Sequence, residues 1–191
     1  MLYDRNGQRK YLTPAERADF LRAADGMPPF VLTFCSTLAY GGCRISEALA
    51  LTADRVDAAD GVLVFESLKK RRRGVYRAVP VPPEFLERLR LVHDLEIFQR
   101  SADRGRATRL WPWSRATAWR RVSEVMDAAG IAGPHATPKG LRHGFGIKAV
   151  TSEVPLNMAQ KWLGHARIST TAIYANATGP EEKLIAGRMW L

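Results

Sequence analysis

Two stretches decide how this chain is read: TPKGLRHGF at residues 137–145 and WLGHARISTTAIYAN at residues 162–176. Thr137 before a proline predicts a helix start, because the hydroxyl can cap and Pro138 suits a first turn where no N–H is needed. Lys139 and Arg142 are three apart and project from one helix face, where such a pair can grip one phosphate. Val154-Pro155 reads as a turn, Leu156 to Leu163 as a helix, and Gly164 as its stop. His165 follows at once, and Ser169-Thr170-Thr171 opens the segment that carries Tyr174. Taken singly, these residues describe a wet basic helix face, a lone histidine and a core tyrosine.

Further upstream, Gly41-Gly42-Cys43-Arg44 turns the backbone sharply and sets a guanidinium at the start of a short helix reaching Leu51, a placement that suits phosphate. Glu47, one turn on, can hold Arg44 or complete the helix start. Thr13-Pro14-Ala15-Glu16 predicts a capping box and a helix to about Ala24. Phe30 to Tyr40 follows as an apolar helix. Residues 61–68 (GVLVFESL) and 74–82 (GVYRAVPVP) have strand character, so a β-hairpin is expected with the basic run Lys69 to Arg73 at its tip. Pro83 to about Arg100 reads as one helix, with Phe85, Leu86, Leu89, Val92 and Ile97 as core. Ser114 caps a helix to about Ala129, and Gly179-Pro180 opens a last helix to Trp190. The fold class is mainly α with a small antiparallel β-sheet, α+β.

The charge is lopsided. Twenty-nine Lys and Arg face 19 Asp and Glu, a net +10. Lys69 to Arg77 holds six basic residues and no acid, and Arg100 to Arg121 holds seven arginines against Asp103 alone. Clusters of this kind repel themselves unless a polyanion lies near, which points to nucleic acid. No apolar run is long enough to span a membrane, and residues 1–10 lack the apolar stretch of a signal peptide. Cys35 and Cys43 form no disulfide framework and read as reduced, cytosolic thiols. His93, His135, His143 and His165 show no metal-ligand spacing. A lysine at the hairpin tip, Lys69 or Lys70, is crowded by other cations; such a lysine gives up its proton more readily and is a candidate general acid.

In this order, Arg44, Lys69, Lys139, Arg142, His165 and Tyr174 resemble the catalytic constellation of the tyrosine recombinase (phage integrase) family, and the two quoted stretches are similar to that family's C-terminal signature. The resemblance covers about Leu12 to Trp190. It implies the DNA breaking-rejoining catalytic fold and site-specific recombination or integration of mobile DNA through a 3′-phosphotyrosine. Arg44 and Arg142 would clamp the scissile phosphate, with His165 adding a hydrogen bond. Tyr174 would attack, and Lys69, the first basic residue after the strand, would protonate the leaving 5′ oxygen. Lys139 stands where many members have His and would take an acid–base or phosphate-contact role. Lys70, Arg71, Arg72, Arg73, Arg77 and Arg115 are expected DNA contacts. One phosphodiester is exchanged for another of similar energy, so no cofactor and no metal is implied.

The resemblance also implies a single catalytic domain over residues 1–191, its core at about 12–178. A C-terminal helix at 179–191 can be exchanged between protomers, and the family's N-terminal core-binding domain is absent. Double-stranded DNA is the expected partner, with self-association into dimers or tetramers on it, no membrane, and a cytoplasmic, nucleoid-associated location. Competing expectations are a DNA-relaxing enzyme of the type IB topoisomerase kind, and a non-catalytic DNA-binding protein of the same fold.

Overall fold

The computed structural model describes residues 2–67, 74–100, 103, 107–175, 183, 186 and 187. The capping box forms as the sequence predicts: Glu16 N–H donates to Thr13 Oγ1 at 3.2 Å, and Thr13 N–H donates to the Glu16 carboxylate at 2.8 Å. Helix α1 (Pro14–Asp25) then runs to Gly26. Helix α2 (Pro29–Gly41) is apolar all round and is buried from Val31 to Ala39. A helix of that kind needs cover on every side. It is the centre of the domain, packed by α1, α3 (Ile45–Leu49), α4 (Pro83–Val92), α6 (Arg115–Ala128) and α7 (Pro138–Thr151). Helices α8 (Leu156–Leu163) and α9 (Ile168–Ala172) close the chain's described C-terminal part, against α7 and each other.

The hairpin is present as β2 (Val62–Glu66) and β3 (Tyr76–Pro80), antiparallel with Val62 opposite Pro80 and Glu66 opposite Tyr76. A short β1 (Val56–Asp57), which the sequence reading did not anticipate, adds to β2 as a third strand. Two residues are too few to carry an alternation signal. The hairpin tip, with Lys69, Lys70, Arg71, Arg72 and Arg73, lies outside the described residues, as does most of the expected C-terminal helix.

The helix expected from Pro83 to Arg100 is two. It stops at Val92, Asp94 takes a left-handed φ of 48°, and α5 (Leu95–Gln99) follows as a separate helix. The break turns the helical face. Leu95 is buried, Phe98 is half-buried against the core, and Ile97, expected in the core, is 56% exposed.

The first residues, for which the sequence suggested no element, are structured. Residues 2–11 fold back as a ribbon, with a bridge between Tyr3 and Arg9 and a turn in which Gly7 has φ 74°. Arg9 Nη2 donates to Glu16 Oε1 at 2.8 Å, and His135 Nε2 lies 3.1 Å from the same oxygen. The ribbon is thus tied to α1 and to the loop before α7. Its Leu2 and Tyr11 are buried in a second apolar cluster with Ile147, Leu163 and Tyr174.

Bare backbone lets α7 sit this deep. A Cβ on Gly140 would lie 1.9 Å from the His135 carbonyl oxygen, and one on Gly144 would lie 2.7 Å from that of Leu12. Neither backbone can step aside cheaply. Gly140→Ala should destabilise the domain by about 1–3 kcal/mol, the cost of overpacking, and a urea midpoint equal to wild type would contradict this packing.

Glu16 gives a pH signature. Burial works to raise its pKa, but the hydrogen bonds from Arg9 and Thr13 and the charges of Arg9 and His135 outweigh that and hold it at about 2. A carboxylate held below its unfolded value stabilises the fold above that unfolded value, and the contribution fades as pH falls toward the folded pKa. Glu16→Gln should therefore flatten the stability profile between about pH 4.5 and about pH 2, measured by thermal melting across that window.

Candidate active site

Four segments distant in sequence converge beside Tyr174: the start of α3, the inner face of β3, the face of α7 around Arg142, and the turn between α8 and α9. Glu47 joins the first three. Its side chain has no solvent exposure. Its Oε1 accepts from Arg44 Nη1 at 2.7 Å, and Oε2 accepts from the Arg44 N–H at 2.9 Å and from Arg77 Nη2 at 2.6 Å. Arg142 Nη1 lies 4.0 Å from Oε2. Burial works to raise the Glu47 pKa, but the charge and hydrogen bond of Arg77, with the N–H and charge of Arg44, outweigh it and lower the pKa. Glu47 is an anion here, and it fixes two guanidiniums.

Arg77 corrects an expectation. Read as a DNA contact on the basic surface, its side chain is 4% exposed. It sits opposite Phe65 in the ladder, with its guanidinium 5.3 Å from that ring, and its Nε donates to the Trp162 carbonyl at 2.7 Å. Strand alternation explains this: Arg77 shares a face with Val79, which is core. The charged residues on either side of the hairpin masked that signal. Arg115, by contrast, is exposed at the start of α6.

Arg142 and Lys139, three apart in α7, differ in exposure. Lys139 is exposed and Arg142 is buried. Arg142 Nη1 donates to the Gly42 carbonyl at 2.7 Å and Nη2 to the Leu163 carbonyl at 2.6 Å. These bonds use two of the five N–H donors of a guanidinium, which leaves the others for a ligand. Burial, then repulsion by Arg44, lowers its pKa to about 10, so it stays cationic at neutral pH. Arg44 is the more open of the pair, its side chain 26% exposed.

His165 follows the left-handed Gly164 (φ 64°), where a Cβ would press on the Arg77 guanidinium at 3.1 Å. Its Nδ1 lies 2.8 Å from Thr171 Oγ1, which leaves Nε2 for another partner. Burial, with the charges of Arg142 and Arg44, lowers its pKa to about 4, so the ring is neutral at pH 7. It stacks on Tyr174 at 6.2 Å between centroids, with an interplanar angle of 17°.

Tyr174 is 1% exposed. Its ring lies against Gly146, where a Cβ would come within 2.5 Å. Burial raises the phenol pKa, and the charges of Arg142 and Arg44 pull the other way. The hydroxyl lies 3.0 Å from Nδ1 of His143, a residue to which the sequence reading gave no role. Among the described residues, no group of three or more His, Cys, Asp or Glu could hold a metal ion. No described helix is long and apolar enough to cross a membrane.

The model of the phage integrase family matches residues 10–180. The chain belongs to this family. Its relatives include tyrosine recombinase XerA of Thermococcus onnurineus, 31% identical over 147 residues that cover 74% of this chain and 49% of that protein. Tyrosine recombinase XerD of Mycobacterium tuberculosis is 32% identical over 150 residues, 72% of this chain and 44% of that protein. This member of the family therefore spans under half the length of those relatives in the matched region. The fold is shared with the crystal structure of XerA recombinase, at a TM-score of 0.78 and 24% identity, covering 94% of this chain and 64% of that one. It is also shared with XerH site-specific recombinase bound to its difH substrate, at a TM-score of 0.74 and 19% identity, covering 99% of this chain and 60% of that one. The mainly helical α+β class with a small antiparallel sheet is the family's.

Removing the shared anion tests the site's architecture. Glu47→Ala leaves Arg77 buried and unpaired, and breaking a buried pair in this way costs about 3–5 kcal/mol. Urea unfolding should show a loss in that range, and a loss near zero would mean that the carboxylate does not hold the arginines.

Proposed function

We propose that this chain is a catalytic domain, with its core at about residues 12–178, that cuts and rejoins double-stranded DNA at specific sites through a 3′-phosphotyrosine on Tyr174. The observation that supports it best is the convergence of Arg44, Arg142 and His165 on Tyr174 from residues far apart in sequence. Both arginines lie close enough to act electrostatically on the phenol. A phosphate held by them would gain charge in the pentacoordinate transition state, and fixed cations in a site shielded from water stabilise that charge. His165, neutral and held at Nδ1 by Thr171, would donate a hydrogen bond from Nε2 to a non-bridging oxygen. The tyrosine oxygen would attack in line with the departing 5′ oxygen. Lys69 would protonate that leaving group, and Lys139, exposed beside the site, would contact phosphate.

No cofactor enters this scheme. Exposed Arg115, with Lys70, Arg71, Arg72 and Arg73, would contact the DNA backbone and make binding salt-dependent. Solved relatives include a lambda integrase dimer bound to a core site and a transposon integrase bound to transposon end DNA. By analogy this domain would serve a mobile element, assemble as a dimer or tetramer on DNA, exchange its C-terminal helix between protomers, and work at the nucleoid.

A nicked suicide duplex carrying the cognate site tests the reading on a denaturing gel. Wild type should give a covalent protein–DNA adduct and Tyr174→Phe none. Arg142→Lys keeps a cation but loses the planar fork. It should slow adduct formation by about 10²-fold or more, the scale of one lost transition-state donor, with gel-shift affinity changed far less. An adduct from Tyr174→Phe would remove Tyr174 as nucleophile.

A further inference from the structure

The proton on the Tyr174 hydroxyl must leave as the oxygen bonds to phosphorus, and its place of departure is visible in the geometry. Nδ1 of His143 lies 3.0 Å from the phenolic oxygen. The two ring centroids are 5.8 Å apart with a 57° tilt, so the rings do not stack. His143 follows Arg142 on α7, one helical step round from the buried guanidinium. Gly146, three residues on, leaves the bare surface against which the phenol ring rests. The stacked His165 ring faces Tyr174 as well. Phenol and imidazole are thus both fixed by packing, and neither needs to move to share a proton.

We propose that His143 is the proton acceptor for Tyr174. The inference rests on Tyr174 being the nucleophile and adds the base that activates it. As the phenolic O–P bond forms, the phenol proton passes to Nδ1 of His143 and leaves an imidazolium. As the P–O5′ bond breaks, the 5′ oxygen takes a proton from the general acid, Lys69. In rejoining, the 5′ hydroxyl returns its proton to that lysine, and the imidazolium returns its proton to the tyrosine oxygen. Charge and protons balance with no further reactant.

The imidazole's surroundings fit this role. Burial, then the charges of Lys139 and Arg142 on α7 and of Lys10 on the ribbon, lower the His143 pKa to about 4. The ring is therefore neutral at pH 7, with Nδ1 able to accept when the phenol donates. Those cations make it a weak base. A scissile phosphate clamped by Arg44 and Arg142 places a negative charge among them, offsets their repulsion, and strengthens the base when substrate is in place. His165 and Tyr174 are the other titratable groups beside it, and both are neutral at that pH by the shifts already described.

The test uses His143→Asn, whose Oδ1 can accept the phenol hydrogen bond where Nδ1 did but cannot take up the proton. Adduct formation is timed in single turnover on two nicked duplexes. One carries an ordinary phosphodiester, and the other a bridging 5′-phosphorothiolate, whose thiolate leaves without a proton donor. Loss of a general base lowers a rate by about 10²–10⁴. The expected result is a slowing in that range on both duplexes, with gel-shift affinity and melting temperature near wild type, while Lys69→Ala is slow on the first duplex and rescued on the second. His143→Gln serves the same test if the first variant does not melt cooperatively. Cleavage by the His143 variant at the wild-type rate overturns the proposal. So does rescue by sulfur, which would place His143 at the leaving group. No adduct from wild type on either duplex is a different failure: it removes Tyr174 as nucleophile, and the proposal falls with it.

Discussion

Glu47 carries the only negative charge drawn into the described arginine cluster, and it is sealed from water between Arg44 and Arg77. Much of the site's arrangement follows from that placement. Three guanidiniums brought this close would repel one another apart. One carboxylate, shared between two of them and 4.0 Å from the third, makes the cluster tolerable and gives Arg44 and Arg77 a fixed direction. The remaining bonds are then dictated by neighbours. Arg77 reaches back to the Trp162 carbonyl at the end of α8, and Arg142 ties the Gly42 and Leu163 carbonyls together. Strand β3, the turn before α3, and the end of α8 are therefore joined through charge as well as through apolar packing.

Much of this was legible in the sequence, for identifiable reasons. The capping box at Thr13, the caps at Ser114 and Thr137, and the stops at Gly42 and Gly164 are local signals, and local chemistry suffices to place them. The hairpin itself followed from two strand-like runs either side of a basic turn. The failures are of two kinds. Asp94 broke a helix whose apolar spacing continued through it, because a left-handed aspartate leaves no mark that a helical asparagine or aspartate would not. Arg77 was misread, and His143 and the N-terminal ribbon were passed over, because their partners lie far away in sequence: Glu47, Tyr174, and the pair Glu16 and His135. An arginine in a basic run looks like surface until its strand partner is known. Even so, the alternation with Val79 held the clue.

Tyr174 is held between opposing influences. Burial against Gly146 and beneath His165 raises the cost of the phenolate, while Arg44 and Arg142 lower it. The two influences act on one oxygen from different directions. The packing is always present, but the arginines' effect depends on what else they hold. Burial outweighs the two cations, so the phenol stays protonated at neutral pH.

The same charge excess has a thermodynamic side. Arg44, Arg77 and Arg142 outnumber Glu47, so the cluster carries excess positive charge in a region partly screened from water. Bringing these cations together on folding works against stability. An anion that bound this cluster in the folded state alone would raise stability by mass action. Melting temperature then becomes a gauge of occupancy. Sulfate, heparin and duplex DNA can be ranked by it without any strand being cut.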